Sequence, residues 1–378
     1  MRIALIGPAH PYKGGGARHT TELAHRLAAA GHDVIIESWK AQYPARLYPG
    51  QQTVDTPEGW PYPRTYRRLA WYRPDGWVAA GRRLRSADLV IFALLTPLQV
   101  PSYLSVLTGL TVGARTAKRP RTLVICHNVL PHERRPGDVA LTRTLLARVD
   151  TVIVHSAEQA AEARDLAPDV PIVVARIPPH LPAAAPALPA APPADQLAER
   201  SVPPADPQCR LLFFGIVRPY KGLDILLRAL ARTPPHVTLT VAGEFWGGTA
   251  ETQDLITALG LAKRVTLRPG YLPARQIPAL FAAADALVLP YREATASQNV
   301  LLAFCFGVPV VTTTAGALAE AVRDGVDGLT CAPGDVEDLA RVLNEFAEPE
   351  TAQRLRAGVR AVDPEPYWAA YLRSLLAG

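Results

Sequence analysis

Four short stretches carry residues able to handle a phosphorylated ligand. Gly14, Gly15 and Gly16 follow the apolar run Arg2–Ile6. Consecutive glycines let backbone amides approach a diphosphate, and a helix N-terminus behind them favours negative charge. A second stretch, Gly215-Ile-Val-Arg218-Pro-Tyr-Lys221-Gly222-Leu-Asp224, sits between an apolar run and a helical pattern. Two fixed cations there, Arg218 and Lys221, can hold a diphosphate and stabilise charge on a departing nucleotide. The third stretch runs from Glu293 through Thr295, Ser297, Gln298 and Asn299 into an apolar helix. A hydroxyl such as Ser297 at a helix start caps it and shares its amides with an anion. The fourth, His127-Asn128-Val-Leu-Pro-His132-Glu133, directly follows the apolar run Thr122–Cys126. Ligands of open α/β sheets sit beyond the carboxyl ends of strands, so a histidine there can touch a sugar or an acceptor. Each stretch also admits a plainer reading: a flexible glycine turn, a solvated loop, an ordinary N-cap, a structural histidine.

These residues need elements to position them. Arg2–Ile6 reads as a buried parallel strand, and Thr20–Ala30 as a helix with Leu23, Leu27 and Ala30 on one face, stopped by Gly31. Val34–Glu37 is the next strand, followed by Leu89–Leu94, Thr122–Cys126 and Val152–His155. A dinucleotide fingerprint is not matched: the glycines lie too far from the strand, and Glu37 is the only acidic candidate at the end of the second strand. Residues 178–207 are rich in Ala and Pro and read as a connection. A second series then begins: strands at Leu211–Phe214, Val237–Val241, Val265–Leu267, Ala286–Leu289 and Val308–Thr312, with a helix over Leu223–Ala231. Strands alternating with helices give an α/β fold with parallel sheets. The expected organisation is two Rossmann-like domains facing each other across a cleft: 1–180, a linker at 181–207, and 208–362.

The chain has 378 residues, 49% hydrophobic and 20% charged, which suits two globular domains. Its four cysteines, Cys126, Cys209, Cys305 and Cys331, form no CxxC pair, so neither a zinc knuckle nor a redox motif is supported. No DxD-type carboxylate cluster ends a strand, and metal is not expected. The sequence opens on a strand pattern with no signal peptide in view, and Leu89–Leu107 is too broken by polar and proline residues to span a membrane. A reduced, cytoplasmic location is expected. The formal net charge of +6 is modest, but Trp60–Arg85 concentrates seven arginines among interleaved aromatics. Arg64, Arg67, Arg68, Trp71 and Arg73 there are candidates for contact with a sugar acceptor or an anionic membrane surface, which would place the protein on the inner face of a membrane. A solvated basic helix is the plainer reading. Nucleic acid is not an expected partner, because the charge is local and no binding module is present.

Together these stretches resemble the large group 1, or family four, glycosyltransferases of GT-B fold. The resemblance rests on Gly14-Gly15…His19…Leu23-Ala…Leu27…Gly31-His32-Asp-Val34, on Phe214-Gly215…Lys221-Gly222, and on Gly307-Val-Pro309-Val-Val…Gly316…Glu320…Asp327-Gly328-Leu…Pro333-Gly-Asp335. It implies retaining, metal-independent transfer of a sugar from a nucleotide-diphosphate donor, which is a co-substrate and not a cofactor, to a sugar or lipid-linked acceptor. It implies that the donor binds mainly to the second domain, with Lys221 on its diphosphate and Gly14–Gly16 facing it. His127 would lie near the transferred sugar, and the C-terminal segment 363–378 would pack back on the first domain. Two departures stand out. Ile216 replaces the family's arginine after the glycine, so Arg218 is the proposed substitute. The family's two glutamates fall at Ala294 and Leu302, leaving Glu293 to take the first role, while Thr295-Ala-Ser297 resembles a loop found in a subset of relatives. These departures keep two rivals open: a non-catalytic GT-B-like binding or partner subunit, and a nucleotide-sugar epimerase of the same fold.

Overall fold

A computed structural model describes residues 1–44, 52–54, 60–112, 119–131, 134–180, 208–294, 298–360 and 362–377. The chain divides into two compact units, Met1–His180 with Pro364–Gly378, and Leu181–Asp363.

Unit 1 runs β1 (Arg2–Ile6), α1 (Gly15–Ala29), β2 (Asp33–Ala41), β3 (Thr65–Ala70), α2 (Pro74–Arg83), β4 (Leu89–Leu94), α3 (Val100–Thr111), β5 (Arg121–Cys126), α4 (Asp138–Leu146), β6 (Thr151–Val154), α5 (Ala157–Leu166) and β7 (Ile172–Val174). The strands form one sheet in the order β3-β2-β1-β4-β5-β6-β7, every pair parallel. Side chains alternate across it. Val90, Phe92 and Leu94 of β4 join Val124 and Cys126 on one face, while Leu89 and Ile91 join Leu123 and Ile125 on the other. Burial on both faces is why these strands read as unbroken apolar runs. The C-terminal helix, Glu365–Ala377, lays Trp368, Tyr371 and Leu375 into the second of these clusters, and Arg26 pairs with Glu365 at its start.

Unit 2 runs β8 (Cys209–Phe214), α6 (Leu223–Leu230), β9 (Val237–Gly243), α7 (Ala250–Ala258), β10 (Val265–Pro269), α8 (Ile277–Ala282), β11 (Ala286–Leu289), α9 (Gln298–Cys305), β12 (Val310–Thr313), β13 (Gly328–Cys331), α10 (Val336–Ala347) and α11 (Pro349–Gly358), with the C-terminal helix, α12, returning to unit 1. Its sheet has the order β10-β9-β8-β11-β12-β13, again parallel throughout. Leu211 and Phe213 face one apolar cluster and Leu212 the other.

Several boundaries differ from the sequence reading for local reasons. α1 begins at Gly15 rather than Thr20, because Gly14 adopts φ 91° and turns the chain directly into the helix. Gly15 and Gly16 therefore form its first turn rather than a loop. β2 continues to Ala41. The basic, aromatic segment after Trp60 is not a single helix but the edge strand β3 followed by α2. Exposed Tyr66, Arg67 and Arg68 hide the strand from a reading by periodicity. All four cysteines are free and buried, and burial pushes the Cys126, Cys209 and Cys331 thiols up to about 12 and Cys305 to about 11. Among the described residues no helix is long and apolar enough to cross a membrane, and no group of three or more His, Cys, Asp or Glu could hold a metal ion.

Candidate functional site

In unit 2 the strand order reverses between β8 and β11, and in open α/β sheets ligands bind beyond the carboxyl ends of the strands at such a switch point. The loop after β8 is the Gly215–Gly222 stretch. It is held from both sides. Val217 donates its amide to the Glu244 carbonyl at 2.8 Å, and Trp246 donates back to Val217. On the β11 side, Arg292 donates its amide to the Tyr220 carbonyl at 2.7 Å and its guanidinium to the Pro219 carbonyl and both Asp224 carboxylate oxygens. Gly222, at φ 67°, starts α6 so close to β11 that a methyl group on it would lie 2.0 Å from the Pro290 carbonyl oxygen.

This scaffold brings three of the sequence candidates together. A methyl group on Gly215 would lie 3.3 Å from both the Lys221 Nζ and the Asn299 Nδ2. Asn299, in the first turn of α9, donates that amide to the Phe214 carbonyl at 2.9 Å. The half-buried Lys221 ammonium also stands 5.2 Å from the Tyr291 ring centroid. Burial works against its charge, but Tyr291 and Tyr220 outweigh burial and leave its pKa above the ordinary lysine value, with Arg218 pulling the other way. The site therefore presents a permanent cation beside fixed amide donors, the equipment for an anion. Arg218 is near, but its guanidinium lies 4.3 Å from the Trp246 ring centroid, a stacked position that no phosphate contact is needed to explain. Gln298 opens α9 and is half-buried. Glu293 is exposed after β11. Thr295 and Ser297 lie outside the described residues. Ala294 and Leu302, at the positions of the family's two glutamates, are both buried in an apolar cluster.

In unit 1, Gly14 and Gly15 are exposed at the head of α1 with open space around them, and Gly16 abuts Leu95. His127 follows β5 with its Nε2 buried and without a hydrogen-bond partner. Its carbonyl accepts from Gln159 Nε2 at 3.1 Å, and the same glutamine side chain accepts from the His155 amide at 2.7 Å. His132 and Glu133 lie outside the described residues. Sequence reasoning missed His155 and Gln159. The signal was present: β5 and β6 are neighbours, and each is followed at once by a histidine.

The basic segment is already partly neutralised. Arg64 pairs with Asp33, Arg73 with Asp75, and Arg68 approaches the buried carboxylate of Glu37, which also accepts from Arg83 at 3.0 Å. The second-strand glutamate is thus committed to arginines of β3 and α2. Arg67 is exposed, as are Trp71, Tyr72 and, at 82%, Trp60.

Residues 13–179 match glycosyltransferase family 4, and residues 208–348 match the glycosyl transferases of group 1. The chain belongs to this glycosyltransferase family. A D-inositol 3-phosphate glycosyltransferase of Mycobacterium sp. (strain JLS) is 34% identical over 170 residues, 44% of this chain and 38% of that protein. The chain thus matches under half the length of this curated relative. Among solved structures, sucrose-phosphate synthase from Thermosynechococcus elongatus superposes with a TM-score of 0.71 at 19% identity, covering 100% of this chain and 97% of that one. Anabaena HepE, solved with UDP and glucose, does so at 0.70 and 18%, covering both chains fully. The glycosyltransferase fold here is GT-B, with two parallel sheets of 7 and 6 strands.

Proposed function

We propose that the protein is a retaining, metal-independent hexosyltransferase acting on a nucleotide-diphosphate sugar and a sugar or lipid-linked acceptor. The observation that carries this reading is Lys221 and Asn299 converging on Gly215 at the β8/β11 switch point. Lys221, with Arg218 nearby, would stabilise the charge that develops on the leaving diphosphate. No side chain is read as a covalent nucleophile: positions 294 and 302 carry no carboxylate, and Glu293 is taken to lie by the donor sugar. Retention then comes from front-face attack: the acceptor hydroxyl bonds to the anomeric carbon as the bond to the diphosphate oxygen breaks. The departing diphosphate takes the hydroxyl proton. His127 would adjoin the sugar.

HepE is solved with UDP, which makes UDP the first nucleotide to try. We expect one of UDP, GDP or dTDP to raise the melting temperature, since a ligand at 100 times its Kd stabilises the native state by about 2.7 kcal/mol. No shift with any of the three would instead favour the non-catalytic subunit that the apolar residues at 294 and 302 also fit. Acceptor-independent release of the nucleotide would favour the epimerase.

The exposed Trp60, Trp71 and Tyr72, with exposed Arg67 in the same segment, support a peripheral contact with anionic lipid on the cytoplasmic side. The full chain should co-sediment with vesicles containing phosphatidylglycerol and not with pure phosphatidylcholine. Trp71→Ala combined with Arg67→Ala should weaken this about tenfold or more, on the order of 1 kcal/mol per basic residue plus the lost ring burial. Equal sedimentation with both vesicles would remove the electrostatic part of the reading.

A further inference from the structure

Four histidines from four segments of unit 1 lie against one another, and the proposed reaction uses only one of them. His19 comes from α1, His127 follows β5, His155 follows β6, and His180 is the last residue before the chain leaves the unit. His19 is fully buried. Its Nδ1 is 3.0 Å from His180 Nε2, and its Nε2 is 3.1 Å from the hydroxyl of Tyr371 on α12. Its ring stacks on Trp368, with centroids 5.7 Å apart, and stands edge-on to His127 at 5.1 Å. His127 and His155 are 5.5 Å apart.

The hydrogen bonding suits neutral rings. His155 Nδ1 is 2.9 Å from the Ala175 carbonyl, an acceptor, so Nδ1 carries the proton and the buried, unpartnered Nε2 is bare. Protonating that Nε2 would bury a charge and an unpaired donor. The His19–His180 contact holds one proton between two nitrogens, and a proton on each would set donor against donor. Of the described residues, Tyr371 touches the cluster and Arg26 stands over its Trp368 neighbour, and neither supplies a negative counter-charge. Tyr371 is neutral, and Arg26, 5.5 Å from the Trp368 ring centroid, is already matched by Glu22 and Glu365.

We propose that this cluster is an acid-operated clasp: with neutral rings it ties α12 and the segment ending at His180 to α1, and protonation opens it. The chain leaves unit 1 after His180 and re-enters at Pro364, so the clasp gathers both crossings. Burial first, then the charges of neighbouring histidines, holds His19 and His127 well below the ordinary histidine value. Burial takes His155 down to about 4 against the pull of the Ala175 carbonyl. A depressed histidine favours the closed form above its ordinary value near 6.5. As pH falls from there towards 4, the open form takes up protons that the closed form does not, and closure is lost.

Hydrogen exchange of the full chain at pH 7.5, 6.5 and 5.5, corrected for the intrinsic exchange rate, tests this. Opening of α12 should rise about tenfold between pH 7.5 and 5.5 for each histidine that protonates only when open, while α10 in unit 2 stays unchanged as an internal reference. His155→Gln should remove about one such tenfold step. Should that variant fail to fold, His180→Gln, at the half-buried edge of the cluster, replaces it. Unchanged protection of α12 across the series, an equal response in α10, or a variant that keeps the full acid response would each overturn the clasp. None of these readouts depends on transferase activity.

Discussion

Lys221→Ala is expected to lower kcat/KM for sugar transfer by about 10²–10³-fold, the loss that follows removal of one fixed donor to developing transition-state charge. The fall should lie mainly in kcat, because charge on the diphosphate grows as the glycosidic bond breaks. Stability should change little: the half-buried side chain gives up its place beside the Tyr291 ring, worth about 0.5–1 kcal/mol. Lys221→Arg should recover only part of the rate. The ammonium occupies a slot where even a methyl group on Gly215 would come within 3.3 Å of it and of the Asn299 amide, and a planar guanidinium needs more room. Since the Lys221 pKa lies above the ordinary lysine value, the residue stays charged across the working range and should contribute no break to the pH–rate profile below about pH 10. Steady-state kinetics with the donor found by thermal shift, alongside the melting temperature of each variant, would check this. A Lys221→Ala enzyme within threefold of the parent kcat would place the leaving group elsewhere.

Many of the strands visible in the sequence are fixed by burial on both faces, although the exposed edge strand β10 was legible too from its Val265-Thr-Leu267 alternation. β4, β5 and β11 stand out as apolar runs because each is covered on two sides. β3 stayed hidden because its exposed Tyr66-Arg67-Arg68 run shows neither an apolar stretch nor an apolar alternation. Much of the family signature near the C-terminus turns out to be conformational. Gly328 is there because a methyl group on it would lie 2.1 Å from the Val310 carbonyl oxygen. Asp327 holds the preceding turn through the Arg323 amide and guanidinium, and Asp335 caps α10 by accepting from the Glu337 and Asp338 amides. At the site, Lys221 was legible because a cation between two glycines at a strand end has few structural uses. Arg218 was the weaker candidate, a substitute for the arginine that Ile216 replaces, and its position over the Trp246 ring depends on a residue 28 positions away, beyond the reach of local spacing. The histidine cluster was illegible for the same reason. His19, His127, His155 and His180 meet only because α1 and the ends of two neighbouring strands converge under α12.

Gly243→Ala is expected to destabilise unit 2 by about 3 kcal/mol or more and to abolish nucleotide binding with it. Gly243 ends β9 at φ 151°, and a methyl group there would lie 1.8 Å from the Gly215 carbonyl oxygen and 2.6 Å from its carbon. The obstacle is backbone, so no rotamer change relieves it. Overpacking of this kind costs about 1–3 kcal/mol, and holding a non-glycine residue in that backbone region costs about 1–3 more. The alternative to bearing the strain is to push Gly215 away. That would break the hydrogen bond its amide donates to the Ala242 carbonyl at 3.0 Å and move the residue on which Lys221 and Asn299 converge. Relief of strain and loss of the site are therefore coupled. Gly247→Ala supplies the control: Gly247 also has positive φ, at 108°, but nothing lies within 4 Å of the added methyl, so only the conformational cost of about 1 kcal/mol or a little more applies. Urea unfolding of both variants, followed by the nucleotide thermal-shift measurement, separates the cases. If Gly243→Ala kept the stability of the Gly247 variant and a full nucleotide shift, the β8 and β9 ends would have to be free to part, and the rigid site that the proposed transfer requires would not exist.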